Sequence, residues 1–414
     1  MTATPHQSAN IQTALIDQLS DEKFLKPQRV AAPQQPIDLG SALRAALAEP
    51  LHFPAISESV FPGDRVAIAL QFGLPHANQI LSLLIAQLTA CSIEPADIVV
   101  LINRELADQF GFTPSQIETA CDPDSQDAPL ILPAQINARE FQFQIHNPGN
   151  TAAVSYLGAN EAGDPIYVNR QLVDADVILP IGFPAIGDSQ FRADCLYPAF
   201  GSTAIRSRFN QPDANAKECQ QEIQLVNDSL GSFFSIQIVI GPGGIIQQII
   251  SGSRNDTIKL ARAEATKLWE FDWPSKSEVT VATIETTIGP VTWEDFAKAV
   301  LTASRVSVST APIIVWSELS GRPGRQIRGA LLAQFEGDSG KKIPRSLEKL
   351  ACVIQERPVY LRSHLSRDDV ESLGLGYIDS VNEIHRIAES WRSGLLIRDA
   401  HKCQASRTKT HRSR

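Results

Sequence analysis

Four side chains in this sequence could hold an anion or move a proton, namely Arg104, His146, Arg192 and Lys298. His146 follows the alternating run Phe141 to Ile145 and precedes Asn-Pro-Gly. Imidazole titrates near neutral pH, so it can act as acid or base, although a single histidine at a strand end is usually a structural hydrogen-bonder. Lys298 lies in a helix headed by Thr292, where a lysine is generally a solvated side chain. One arginine fork and one ammonium suffice to hold a lactate-sized carboxylate.

The loop Ser320-Gly321-Arg322-Pro323-Gly324-Arg325 lies between a strand and a helix, where glycines and arginines can bind phosphate or carboxylate, but it fits no P-loop or GxGxxG pattern. GPGG at 241–244 is flanked by alternating strands and reads as a hairpin turn. Cys195 beside Asp194 has no neighbouring histidine to make it a nucleophile. His52, His76, His364 and His385 show no ligand spacing, and no metal site is expected.

The elements that must position these residues alternate between strand and helix. Arg65 to Leu70, a helical spacing over Ala77 to Ala90, and Asp97 to Ile102 form a βαβ unit, which implies a parallel sheet. Thr113 and Pro114 open a helix, Ala175 to Ile181 is a buried strand, and a helix from Asp256 to Trp269 is capped by Asn255. A fresh strand at Glu278 to Thr283 follows the break at Trp273-Pro274. After it come a helix capped by Thr292 and Asp295, strands at Pro312 to Trp316 and Pro358 to Arg362, and a helix near Ile327 to Phe335. Ser366 with Asp369 and Ser380 with Glu383 are further capping-box pairs. The expected layout is an arm over 1–60 that is partly disordered, α/β domains over 61–273 and 274–400 with a cleft between them, and a basic disordered tail over 401–414.

At 414 residues the chain is too long for one comfortable core. A net charge of −9 argues against general nucleic-acid affinity. The six cysteines lack CxxC spacing, which fits a reducing cytoplasm, and neither a signal peptide nor a run of the ~20 apolar residues a membrane helix needs is present.

The segment His146 to Gly182 carries, in order, His146, Leu157-Gly158, Gly163 with Pro165, Asn169-Arg170, Ala175-Asp176 and Gly182. It resembles the corresponding stretch of the nickel-dependent lactate racemases, and weaker similarity runs over roughly 60–400. The resemblance implies two α/β domains around a cleft in which a nickel pincer nucleotide, tethered through a lysine, accepts hydride from the substrate's C2 while two histidines serve as acid and base. Lys298 matches that family's cleft lysine, and Arg104 and His146 match as well.

The departures fall on the chemistry. The family's Asp-Asp-x-Thr-Arg-Pro turn is Gln71-Phe72-Gly73-Leu74-Pro75, its Gly-Thr-His-Arg is Leu101-Ile102-Asn103-Arg104, and Asp194 stands where the lysine belongs. The nickel-ligating Asn-His falls near Arg208-Phe209-Asn210, and the glutamine before Lys298 is Asp295. A thioamide link needs an amine that Asp194 cannot supply, so no covalently bound nucleotide is expected. Two readings follow. The chain is either a diverged 2-hydroxyacid racemase or epimerase, or a catalytically silent protein that binds a small anionic metabolite or a regulatory partner.

Overall fold

The computed structural model describes residues 24–25, 28–29, 35–110, 112–113, 115–117, 142–184, 196–209, 215–273, 275–285, 291–332 and 345–406. The chain divides into a middle unit, Pro33–Ala265, and a terminal unit made of Met1–Ala32 with Thr266–Arg414.

In the middle unit the apolar runs form the strands Val66–Leu70, Ile98–Ile102 and Val177–Gly182, buried along their whole length as parallel strands covered on both faces must be. The sheet runs in the order Ile246–Gly252, Ser235–Ile240, Val177–Gly182, Val66–Leu70, Ile98–Ile102 and Gln142–Ile145, with the short strand Ser232–Phe233 also on Val177–Gly182. Every pairing is parallel except the hairpin of Ser235–Ile240 with Ile246–Gly252, whose turn is the GPGG segment. The chain leaves Val66–Leu70 on one side and returns to pair its other side with Val177–Gly182, so the topological switch lies between these two.

The expected arm is folded from residue 35 onward. Leu39–Ala48 is a helix whose Asp38 side chain caps Ser41, and Leu43 and Leu47 are buried in the sheet's core beside the helix Ala77–Ala90. Burying leucines of this kind stabilises by about 1.5–3 kcal/mol each. Leu51 then pairs with Gly252, whose φ of +131° and close backbone neighbours admit only glycine.

The terminal unit holds a second parallel sheet, ordered Phe24–Leu25, Gly394–Ile397, Val279–Thr283, Ile313–Trp316, Val359–Arg362 and Gly376–Tyr377. Its switch lies between Val279–Thr283 and Gly394–Ile397. Thr292 and Asp295 form the capping box of the helix Trp293–Val306, and Ser366 caps Arg367–Glu371 through Asp369.

Several expectations are corrected. The helix over 254–269 begins at Arg254, with Ser253 taking Thr257 N and binding the Asp256 carboxylate, so Asn255 lies inside it. Glu383 bonds Asp379 N, and the Ser380 side chain makes no cap. The break falls at Ala265/Thr266, not 273/274, because Glu270–Asp272 pairs with Gln28–Arg29 and Gln404–Ser406. The same sheet orders residues 404–406, and with Cys403 buried the tail is structured up to residue 406. Among the described residues no helix is long and apolar enough to cross a membrane.

Candidate functional site

In open parallel sheets ligands collect beyond the carboxyl ends of the strands, at the switch point. In the middle unit that position carries the uncharged turn Gln71-Phe72-Gly73-Leu74-Pro75. Gln71 N donates to Ile181 O at 3.0 Å, and Gln71 Oε1 accepts from Phe183 N at 2.9 Å, joining the two switch strands. On the next strand Asn103 Oδ1 accepts from Leu106 N at 2.8 Å, so the residue at the resembled histidine position is a helix cap. Arg104, first in the helix Arg104–Gln109, is exposed.

His146 continues the strand after that, its N–H bonded to Ile102 O at 2.8 Å. The ring is 2% exposed and both nitrogens are engaged. Nε2 lies 3.0 Å from Gly201 O, which can only accept, so Nε2 carries the hydrogen. Nδ1 accepts from Asn169 Nδ2 at 3.2 Å, while Asn169 Oδ1 is held by Gln171 N at 2.9 Å. The amide therefore cannot turn to receive a protonated Nδ1. Burial, with Arg206 adding to it and the Gly201 bond opposing it, lowers the His146 pKa to about 4. At neutral pH this is a fixed, neutral imidazole that braces the strand end, and it is not arranged as an acid or base.

Arg192, Asp194, Cys195 and Asn210 lie outside the described residues. Arg208, at the position near the resembled nickel ligand, is tied to the buried Glu222, which also takes the Tyr197 hydroxyl and Asn160 Nδ2 at 2.9 Å. Burial first, and then the Glu222 charge, push the Tyr197 hydroxyl far above its ordinary pKa. No local signal announces this network, because its members are spread from Asn160 to Glu222.

In the terminal unit Lys298 is half-buried on the helix Trp293–Val306. It is one of the charges around His401, whose pKa is held down by burial, then Lys402, and to a smaller extent Lys298, with Asp295 opposing. His401 Nδ1 is sealed from solvent without a hydrogen-bond partner. Ion pairs stitch the strand ends of this sheet together. Glu285 takes a two-pronged bond from Arg398 at 2.8 and 2.7 Å. Glu318 holds Arg362 on one oxygen and faces His364 on the other. In the glycine-arginine loop Arg322 is bonded to Asp369 at 2.8 Å.

A cavity of about 290 Å³ lined by Arg65, Asp97, Gln142 and Asp174 opens at the amino ends of the middle sheet, the end opposite the one ligands favour. Among the described residues no group of three or more His, Cys, Asp or Glu side chains could hold a metal ion.

No protein-family model and no curated protein sequence matches the chain. Solved structures do. The lactate racemase apoprotein of Thermoanaerobacterium thermosaccharolyticum superposes with a TM-score of 0.64 at 14% identity, over 93% of this chain and 95% of that one. The fold is that of lactate racemase. A Thermotoga maritima protein of known crystal structure has it as well, with a TM-score of 0.61 at 14% identity over 91% of this chain and all of the other. A lactate racemase fold at this identity fixes architecture and leaves chemistry open. The nickel pincer nucleotide that the resemblance implies does not fit the residues present. Asn103 is spent on a cap, His146 on Gly201 and Asn169, and Arg208 on Glu222, and the residue that the resemblance puts at the tether, Asp194, has no amine.

Proposed function

We propose that this chain is a diverged relation of the lactate racemases that binds a small hydroxy-carboxylate without a lysine-tethered pincer nucleotide and without racemising its ligand. The observation that carries the reading is His146. The one histidine retained from the resembled motif has both nitrogens committed to internal partners and is neutral at working pH. A racemase needs imidazoles free to hold and release the substrate's proton. Cations suited to a carboxylate remain at the exposed Arg104 and at the half-buried Lys298.

The test combines calorimetry with L- and D-lactate, polarimetry, and intact mass with nickel analysis on protein produced alongside the cofactor-making enzymes. Binding of lactate, unchanged optical rotation and the mass of the bare chain are expected. Racemisation, or a nickel-bearing adduct on any lysine, overturns the reading.

A further inference from the structure

Charges of both signs stand together without pairing in the cavity at the amino ends of the middle sheet. Arg65, Asp97 and Asp174 line it, with the carboxamides of Gln142 and Gln171. Among the described residues none of these five side chains has a hydrogen-bond or ion-pair partner. Elsewhere neighbouring charges close on each other, as Arg398 does on Glu285 and Arg362 on Glu318.

The backbone accounts for the difference, because the segments that carry the charges are pinned. Arg65 O accepts from Asp176 N at 3.0 Å and from Val177 N at 3.2 Å, and Arg65 N donates to the Asp176 carboxylate at 2.9 Å. Asp97 N donates to Glu94 O, and Asp174 N to Arg170 O, each at 2.9 Å. The nearby groups that could have neutralised these charges are already engaged, Asp176 by Arg65 N and the Arg170 guanidinium by Ala152 O at 3.0 Å. A single exposed charge is solvated at little cost. Three of mixed sign and two amides around one concavity, all with their bonding capacity unspent, present a surface that a complementary ligand can satisfy.

The lining dictates what that ligand carries. Its volume of about 290 Å³ is near the lower end of the roughly 300–1,000 Å³ of small-molecule sites. Val66 and Val99, both buried, give it an apolar wall. Two carboxylates and one guanidinium match two cations and one anion, joined by a short apolar stem. We infer that this cavity binds a basic α-amino acid, with its two cationic groups on Asp97 and Asp174, its carboxylate on Arg65 and its methylenes against Val66 and Val99. The strands Val66–Leu70 and Ile98–Ile102 separate this place from their carboxyl ends, where Arg104 lies, so the inference does not depend on the carboxylate reading.

Calorimetry on the full chain tests it with L-lysine and L-arginine against cadaverine and agmatine, which lack only the carboxylate, and against L-norleucine, which lacks the side-chain cation. Each basic amino acid is expected to bind about tenfold more tightly than its decarboxylated counterpart, and lysine about tenfold more tightly than norleucine, a difference of about 1.4 kcal/mol in each case. The order is decisive, because a net charge of −9 attracts the doubly charged amines more than the singly charged amino acids. D97N and D174N should each weaken lysine about tenfold, and R65Q should put cadaverine level with lysine or ahead of it. None of the three substitutions removes a side-chain bond within the protein, so the Tm without ligand should be unchanged. Amines or norleucine binding as tightly as the amino acids, lysine affinity unchanged in any of the three variants, or no heat with either amino acid at tens of millimolar overturns the inference.

Discussion

Replacing His146 by glutamine isolates the energetic signature of a buried neutral imidazole. In the folded chain the group titrates at about 4, whereas the free side chain titrates near 6.5. The unfolded chain therefore binds more protons between these values, and the stability owed to this histidine is complete above about pH 6.5 and is lost as pH falls toward 4. Integrating that difference gives a loss of about 2 kcal/mol between pH 7 and pH 4.5, from a shift worth about 1.4 kcal/mol per unit. Glutamine offers an N–H for Gly201 O and an oxygen for Asn169 Nδ2, so H146Q keeps both partners and removes the titration. At pH 7 it should cost about 1–2 kcal/mol, through poorer geometry and the lost contact with the Phe200 ring, whose centroid lies 5.5 Å away. Hydrogen exchange with mass spectrometry, corrected for intrinsic rates and read on Val66–Leu70 and Ile98–Ile102, reports the middle unit alone. Native and H146Q protection should converge as pH is lowered from 7 to 4.5. If the two profiles run parallel across that range, His146 is not a buried neutral group and the case against an acid-base role falls.

Other outcomes follow from the same geometry. E222A takes the acceptor from the buried Tyr197 hydroxyl and leaves Arg208 only its longer pair with Asp164 at 3.7 Å, and should cost about 1–3 kcal/mol, read as a lowered urea midpoint. G252A places a Cβ 2.3 Å from Leu51 O at a φ of +131°, so the pairing with Leu51 must break, with faster exchange at Ser253 N and a lower Tm. T292A removes the capping box of the helix Trp293–Val306 and should cost about 1 kcal/mol in thermal unfolding. His401, kept neutral by burial and the neighbouring lysines, should show no titration in proton spectra between pH 5 and 8.

What the sequence disclosed was local. The runs VAIAL, IVVLI and VILPIG became buried parallel strands because a short apolar segment bounded by turns has few other stable homes. Thr292 with Asp295 and Ser366 with Asp369 capped their helices because both partners lie within one turn. The candidate groups depended instead on partners far along the chain. His146 read as a possible base until Gly201 and Asn169 were found on its nitrogens. His364 looked isolated because Glu318 lies 46 positions away, and only the pairing of Ile313–Trp316 with Val359–Arg362 brings them together. The opening segment read as an arm because two-residue strands such as Phe24–Leu25 carry no periodicity of their own.

That short strand bears on how the chain is made. Phe24 and Leu25 pair with Gly394 and Leu395, so the first described strand waits for a partner about 370 residues downstream. At a synthesis rate of about 5–20 residues per second, roughly 20–70 s pass before that partner has emerged. The middle unit, whose every strand lies between the two, can complete its core within that interval. Assembly on the ribosome is thus ordered from the inside outward, and the terminal sheet is sealed at its edge by a strand made long before its partner.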